Sequence, residues 1–223
     1  MSQINYLLKR SAKRKTLAIK IENYTAQVIV YAPQGMSLEK INCFVDEKSE
    51  WIKSHSDLVK SRNGVLPKIQ SGNNIYIAGK NYTLNICEIN RASVNGQIIN
   101  LPIGREKESL IRIAKKLFVS YAKEYTEIIA KNYAFTYRSV SVGSAKTRWG
   151  SCTVANDIIY SVGLAFLPFE LCEYVIVHEL CHTRQKNHGK QFYSLVKRCM
   201  PDYKARALRL KNYSAFLHFL KNG

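Results

Sequence analysis

The sequence is short of acidic residues and of long apolar runs. Its 223 residues include 16 Asp and Glu against 34 Lys and Arg, which gives a formal net charge of +18. No apolar run approaches the roughly 18 to 20 residues that span a bilayer, so we expect no membrane span. The excess of positive charge favours polyanionic partners such as nucleic acid, nucleotides or an anionic membrane surface, unless it serves solubility alone.

The sequence also lacks paired cysteines and a secretory signal. None of its six cysteines belongs to a Cys-x-x-Cys pair, and they are scattered from Cys43 to Cys199. This scatter predicts reduced, mostly buried thiols rather than a disulfide framework. Residues 1–10 hold only a short apolar patch without a small-residue cleavage site. We therefore expect a cytoplasmic protein, and its 46% hydrophobic residues are enough for a packed core.

The first half of the chain has the patterns of strands. Apolar and polar residues alternate over 16–22, and a second apolar run follows over 28–31, which predicts a hairpin. Asn95-Gly96 predicts another hairpin, because both residues tolerate a positive φ. Between the two, Ser37 can cap a helix whose apolar positions keep helical spacing as far as Leu58.

The second half is mainly helical. A long helix is predicted over about 106–132, and three helical segments are predicted towards the end of the chain. Two short strands, 139–142 and 158–162, lie between them. We expect an α+β fold with two domains. A strand-rich region with one helix covers residues 1–104, and a helical metal-binding core with a small antiparallel or mixed sheet covers 105–223.

Three of the five histidines fall within eleven residues, at positions 178, 182 and 188. On a helix, His178 and His182 lie about 40° apart around the axis, so both imidazoles can reach one Zn²⁺ ion. Glu179 lies about 100° around the helix from His178 and is not a natural third ligand. It is placed to hold the water on the ion and to take its proton.

His188 requires a different local structure. An unbroken helix would place it about 240° from His182, nearly opposite the ion. It can complete the site if the helix ends near Gln185 and the chain turns back, which Asn187 and Gly189 favour. Three neutral imidazoles would then leave one tetrahedral position for water, as in catalytic zinc sites.

The segment from Lys146 to Cys152 permits a structural and a functional interpretation. In the first, Trp149 packs at a strand edge and Gly150 allows a close backbone approach. In the second, the strand edge pairs with an extended peptide, and Arg148 or Lys146 holds a carboxylate or phosphate. Spacing alone favours the structural interpretation.

Several segments occur in a specific order: Lys146–Cys152, Tyr174–His182, Asn187-His188, Phe192 and Met200–Tyr203. Together they resemble the YgjP-like metallopeptidase family, and the resemblance covers nearly the whole chain. It implies a zincin-like core related to SprT-like proteins. It also implies metal binding by His178, His182 and His188, with Glu179 as the catalytic acid and base. The chain departs from the family at Tyr193, where a Trp is usual.

We expect a zinc-dependent hydrolase, most simply a metallopeptidase acting on a peptide or protein. Arg148, Trp149 and Tyr193 are the candidate substrate contacts. Two alternatives remain. Nine Lys and Arg against Asp202 alone between residues 184 and 211 would also suit hydrolysis of phosphoanhydrides such as nucleoside triphosphates. In the second alternative, the basic segments bind nucleic acid and the zinc is structural.

Overall fold

The computed structural model describes residues 4–22, 26–63, 66–145 and 147–219. The chain forms two compact units, Met1–Leu66 and Pro67–Gly223. The boundary that the sequence predicts between residues 104 and 105 falls inside the second unit. That residues 1–104 and 105–223 form two separate domains stays a prediction. Lys146, a candidate anion contact, lies outside the described residues.

The first unit combines a three-stranded sheet with two helices. Its elements are β1 (Tyr6–Ser11), β2 (Ala18–Ile21), β3 (Val28–Pro33), α1 (Leu38–Glu47) and α2 (Ser49–Asn63). β3 is central, with β1 parallel and β2 antiparallel to it. Alternate residues of β3 point to one face, and they form a core with the helices. The fully buried members of this core are Val28, Val30, Ala32, Ile41, Val45 and Ile52.

The predicted hairpin of β2 and β3 is confirmed, whereas the single helix predicted after Ser37 is two helices. Ser37 does cap α1, since its side chain accepts a hydrogen bond from the Lys40 amide. Lys48 then leaves the helical conformation, with φ −97° and ψ 9°, and α2 starts at the next residue. No Gly or Pro marks this break, so hydrophobic spacing alone could not reveal it.

The second unit contains two further sheets. One has the order β4-β5-β7-β6, and the other has the order β8-β10-β9. Their strands are β4 (Asn74–Ile77), β5 (Lys80–Cys87), β6 (Ser93–Asn95), β7 (Ile98–Pro102), β8 (Ser139–Gly143), β9 (Gly150–Cys152) and β10 (Asp157–Ser161). The predicted hairpin at Asn95-Gly96 joins β6 to β7, and Gly96 has φ +59°. β10 pairs parallel with β8 and antiparallel with β9, so the smaller sheet is mixed, as expected.

Helices fill the rest of the second unit. They are α3 (Glu106–Asn132), α4 (Phe169–His182), α5 (Lys190–Cys199), α6 (Tyr203–Lys211) and α7 (Ser214–Phe219), with a 3-10 helix at Val162–Phe166. α4 contacts α3, α5, α6 and β9, which explains why it is apolar on nearly every side. The fold is α+β, as predicted. None of the described helices is both long and apolar enough to cross a membrane.

Candidate metal centre

α4 positions the first two histidines. Its apolar residues 174–177 are buried and fix the helix within the core of the second unit. One turn later, His178 and His182 lie on the same side of the helix, with ring centroids 4.9 Å apart. The helix ends at His182, three residues before the predicted end, so the following segment is free to turn.

The chain turns back after α4 and brings the third histidine to the other two. Nε2 of His188 lies 3.2 Å from Nε2 of His182 and 3.0 Å from Nε2 of His178. Nitrogens that each bind one tetrahedral Zn²⁺ ion at 2.0 to 2.1 Å would lie roughly 3.3 Å apart. Both distances are close to this value, and since the ligand atoms of all three side chains lie within 4.8 Å of one another, the three form a group that could hold one ion.

The protonation of these rings also suits a metal ion. Nδ1 of His182 lies 3.0 Å from the carbonyl oxygen of Gln185. Because a carbonyl only accepts, Nδ1 carries the proton and Nε2 keeps a free lone pair. Burial, with the nearby His182 and His188, lowers the pKa of His178 to about 3. Both features favour neutral imidazole, the form that binds metal.

Phe192 of α5 supports all three histidine rings. Its ring centroid lies 4.9 Å from that of His178, 4.4 Å from that of His182 and 4.8 Å from that of His188. Phe192 is itself fully buried, which limits its motion and that of the rings against it. In the sequence, Phe192 is among the segments that resemble the family, and no role at the site was predicted for it.

Glu179 of α4 packs against β9. It is 5% exposed, and its side chain lies directly against Gly150. A Cβ at position 150 would come within 2.7 Å of both Cγ and Oε1 of Glu179, so a larger residue there would force the Glu179 side chain to shift. Burial raises the pKa of Glu179 to about 7, while the positive charge of Arg148 acts in the opposite direction. A carboxyl group with this pKa can both accept and return a proton near neutral pH.

Lys186 was not among the predicted site residues. Its Nζ donates to the carbonyl of Thr153 at 2.7 Å and to Oδ1 of Asn156 at 2.5 Å. These contacts fasten the turn between α4 and His188 to the loop joining β9 and β10. The partners are thirty or more positions away in the sequence, so no local pattern could indicate the contact.

The three candidate substrate contacts differ in their surroundings. Arg148 is exposed just before β9. Trp149 is half-buried, and its carbonyl accepts a hydrogen bond from the Ser161 amide at 2.7 Å. Tyr193 is 41% exposed, with its ring centroid 6.2 Å from that of His188. Tyr193 thus lies beside the histidines, and Arg148 and Trp149 lie at the start of β9.

Comparison with known proteins adds one finding. A family model described as "YgjP-like, metallopeptidase domain" matches residues 15–213, which is most of the chain. The chain has no significant match among curated proteins or among solved structures.

Proposed function

The chain belongs to the YgjP-like metallopeptidase family, and we propose that its reaction is the zinc-dependent hydrolysis of peptide bonds. One observation carries this proposal: Nε2 of His188 lies within 3.2 Å of Nε2 of His178 and of His182, and these two histidines share α4 with the buried Glu179. His178, His182 and His188 would hold the ion. Imidazole ligands suit several metals, and three of them with an open fourth position favour zinc.

Glu179 performs the proton transfers in the proposed mechanism. When bound, the ion would lower the pKa of a water molecule towards 7 and polarise the substrate carbonyl. The carboxylate of Glu179 takes a proton from the attacking water as the new C–O bond forms. It then gives this proton to the amide nitrogen as the C–N bond breaks. The pKa of about 7 suits both steps.

The position of β9 supports a peptide substrate. In the sheet order β8-β10-β9, β9 is the edge strand and, among the described strands, pairs with β10 alone. Because Gly150 of this strand contacts Glu179, an extended peptide paired along the free edge would pass close to the carboxylate. We assign Arg148 and Trp149 to contacts with this peptide at the start of the strand, and Tyr193 to contacts beside His188.

We also propose that the protein works in the cytoplasm. All six cysteines are free, and Cys43 is exposed. Free and accessible thiols persist in a reducing compartment, whereas secreted proteins tend to oxidise them. Contact with nucleotides or with nucleic acid stays a prediction from charge, and the assay below includes nucleotides for that reason.

The test compares wild type with Glu179→Gln. We expect about one zinc per chain in both, measured by metal analysis of the purified protein, because Glu179 is not a ligand. Hydrolysis of a mixed peptide library should fall by about 10² to 10⁴ in the variant, since general acid and base catalysis contributes a factor of this size. Glu170→Gln, at an exposed glutamate on the same helix, should keep full activity.

A second variant tests His188, the proposed ligand that lies outside α4. His188→Ala should lose most of the zinc while keeping its fold, because His188 is exposed and lies on a turn. Wild type without stoichiometric metal, or Glu179→Gln that hydrolyses peptides as fast as wild type, would contradict the proposal. Release of phosphate from a nucleotide panel, without peptide cleavage, would replace it with the phosphoanhydride alternative.

A further inference from the structure

A groove runs from the histidines along the outer side of α5. Its main lining residues are His188, Lys190, Tyr193, Ser194, Lys197 and Tyr203. α5 buries Phe192, Val196 and Cys199 on its opposite side. Lys190, Tyr193 and Lys197 follow each other at intervals of three and four residues, so they form one outward-facing stripe. The groove therefore combines a proposed metal ligand with an exposed helix face.

This groove carries uncompensated positive charge. Its lining includes two lysines and no acidic residue. Within the described ranges, neither lysine takes part in an ion pair, whereas Arg206 of α6 pairs with Glu173 and Asp202. Lys190 and Lys197 are exposed on a helix of ten residues that has no carboxylate of its own. Such a surface attracts anionic groups.

A second basic groove on the other flank of α5 is less suited to a ligand. It is lined by Arg184, Lys190 and Arg198, among others, and by none of the three histidines. Arg184 is already engaged, because its guanidinium donates to the carbonyl of Ala134 and lies 4.7 Å from the ring centroid of Phe135. The groove that begins at His188 is the better candidate.

The spacing of the two lysines matches an extended peptide. With a rise of 1.5 Å per residue, the backbones of Lys190 and Lys197 lie roughly 10 Å apart along the helix. Residues four apart in an extended chain point to the same side and lie about 13 Å apart, at about 3.3 Å each, which two flexible lysine side chains can reach. Between them, the exposed ring of Tyr193 stacks on that of Tyr203 with centroids 6.0 Å apart. A peptide leaving the histidines would meet a cation, an aromatic surface and a second cation.

We propose that this groove selects peptides with acidic side chains on one side of the cleaved bond, at positions about four residues apart, which share one face of an extended chain. The inference rests on the proposed peptidase function, since the groove starts at a proposed metal ligand. Two lysines separated by roughly 10 Å suit two carboxylates. They suit a nucleic acid less well, because single-strand sites usually follow the backbone for about 4 to 16 nucleotides with aromatic side chains for successive bases.

The test measures binding apart from cleavage. The full chain carrying Glu179→Gln is loaded with zinc and titrated against two fluorescent ten-residue peptides. They differ only in having Glu or Gln at two positions four residues apart. We expect the Glu peptide to bind about tenfold more tightly at low salt, as two exposed charge pairs allow. The difference should shrink in 0.5 M NaCl.

Charge-removing variants locate the effect. Lys190→Gln with Lys197→Gln should make the two peptides bind equally. Lys123→Gln, at an exposed lysine of α3, should keep the preference. Neither change should alter the melting temperature, because the two groove lysines form no ion pair in the described structure and α5 is held by its buried face.

Equal affinity of Glu179→Gln for the two peptides would overturn the inference. So would an oligothymidine that displaces the Glu peptide at lower concentration than unlabelled peptide does, since the groove would then be a nucleic-acid site. Peptide cleavage by wild type tests the selectivity and the peptidase function separately. If wild type cleaves the Gln peptide as fast as the Glu peptide, the selectivity fails and the peptidase function stands. If it cleaves no peptide in the library, the peptidase function itself fails.

Discussion

Two arginines of the first unit and two lysines of α5 in the second unit differ in what they contact. In the first unit, the guanidinium of Arg10 donates to three backbone carbonyls of the segment 33–36, at 3.3, 2.9 and 2.7 Å. Arg14 lies over the ring of Tyr31, with 5.0 Å between its guanidinium carbon and the ring centroid. Both arginines are thus used to hold neighbouring segments of the same unit.

In the second unit, the lysines of α5 lie beside the three histidines and form no ion pair in the described structure. Composition treats these lysines and the arginines of the first unit alike, as parts of one net charge of +18. Their surroundings differ. A guanidinium whose N–H groups already donate to carbonyls has few donors left for a ligand. The contacts of a basic residue indicate what it binds, whereas the net charge of the chain does not.

The largest expected difference concerns the buried cores of the two units. Phe192→Ala and Ile52→Ala each remove a large, almost fully buried side chain. Each should lower the free energy of unfolding of its own unit, by about 3 to 5 kcal/mol for Phe192 and about 2 to 5 kcal/mol for Ile52. Only the first loosens the three histidine rings. Zinc affinity should therefore fall about 10- to 100-fold for Phe192→Ala alone.

Urea denaturation measures the first quantity, and calorimetric titration of zinc into the metal-free variants measures the second. Equal zinc affinities for the two variants would mean that Phe192 is merely a core residue. A loss of zinc binding in Ile52→Ala would mean that the first unit supports the metal centre, which would break the comparison between the two cores.

The sequence predicts the parts of this centre that are local. His178 and His182 share a helix face whatever the rest of the chain does, because four residues make slightly more than one turn. His188 is predictable only with the added condition of a turn, and that turn begins directly after His182. The contacts that hold the turn and the rings, from Lys186 and Phe192, join segments that are distant in sequence or lie on separate elements.

The same limit applies to the fold. The bounds of α3 follow from a long periodic pattern and agree with the prediction of a helix over about 106–132. β1 was not predicted, since Lys9, Arg10 and Ser11 end the strand without alternating apolar residues. Its pairing with β3, across intervening residues of β2, supplies the stabilisation that the local sequence lacks.

The next difference concerns two glycines. Gly150→Ala should cut peptide hydrolysis about 10²-fold, because the new Cβ would displace the carboxylate of Glu179 from its position. Zinc content should stay the same, since the three atoms nearest to the added Cβ all belong to Glu179, which is not a proposed ligand. Gly35→Ala in the first unit provides the matched control, as nothing lies within 4 Å of the added atom there.

Steady-state hydrolysis of one peptide by both variants, with metal analysis of each preparation, gives the answer. If Gly150→Ala keeps full activity, the carboxylate of Glu179 can work from a shifted position, and the tight contact with β9 is dispensable. If Gly35→Ala also loses activity, the first unit affects catalysis in a way that its own contacts do not predict.

The smallest expected difference returns to the basic residues. Arg10→Met should lower the free energy of unfolding by about 1 kcal/mol, because it removes hydrogen bonds to three carbonyls at an exposed site. Lys197→Met should change it by less than about 0.5 kcal/mol, as expected for a surface residue without partners among the described contacts. The affinity for the acidic peptide should fall for Lys197→Met and stay unchanged for Arg10→Met. Urea denaturation of both variants, with the peptide titration above, checks the two rankings. If Lys197→Met is destabilised as much as Arg10→Met, its ammonium belongs to the fold, and the distinction between used and free charges does not hold.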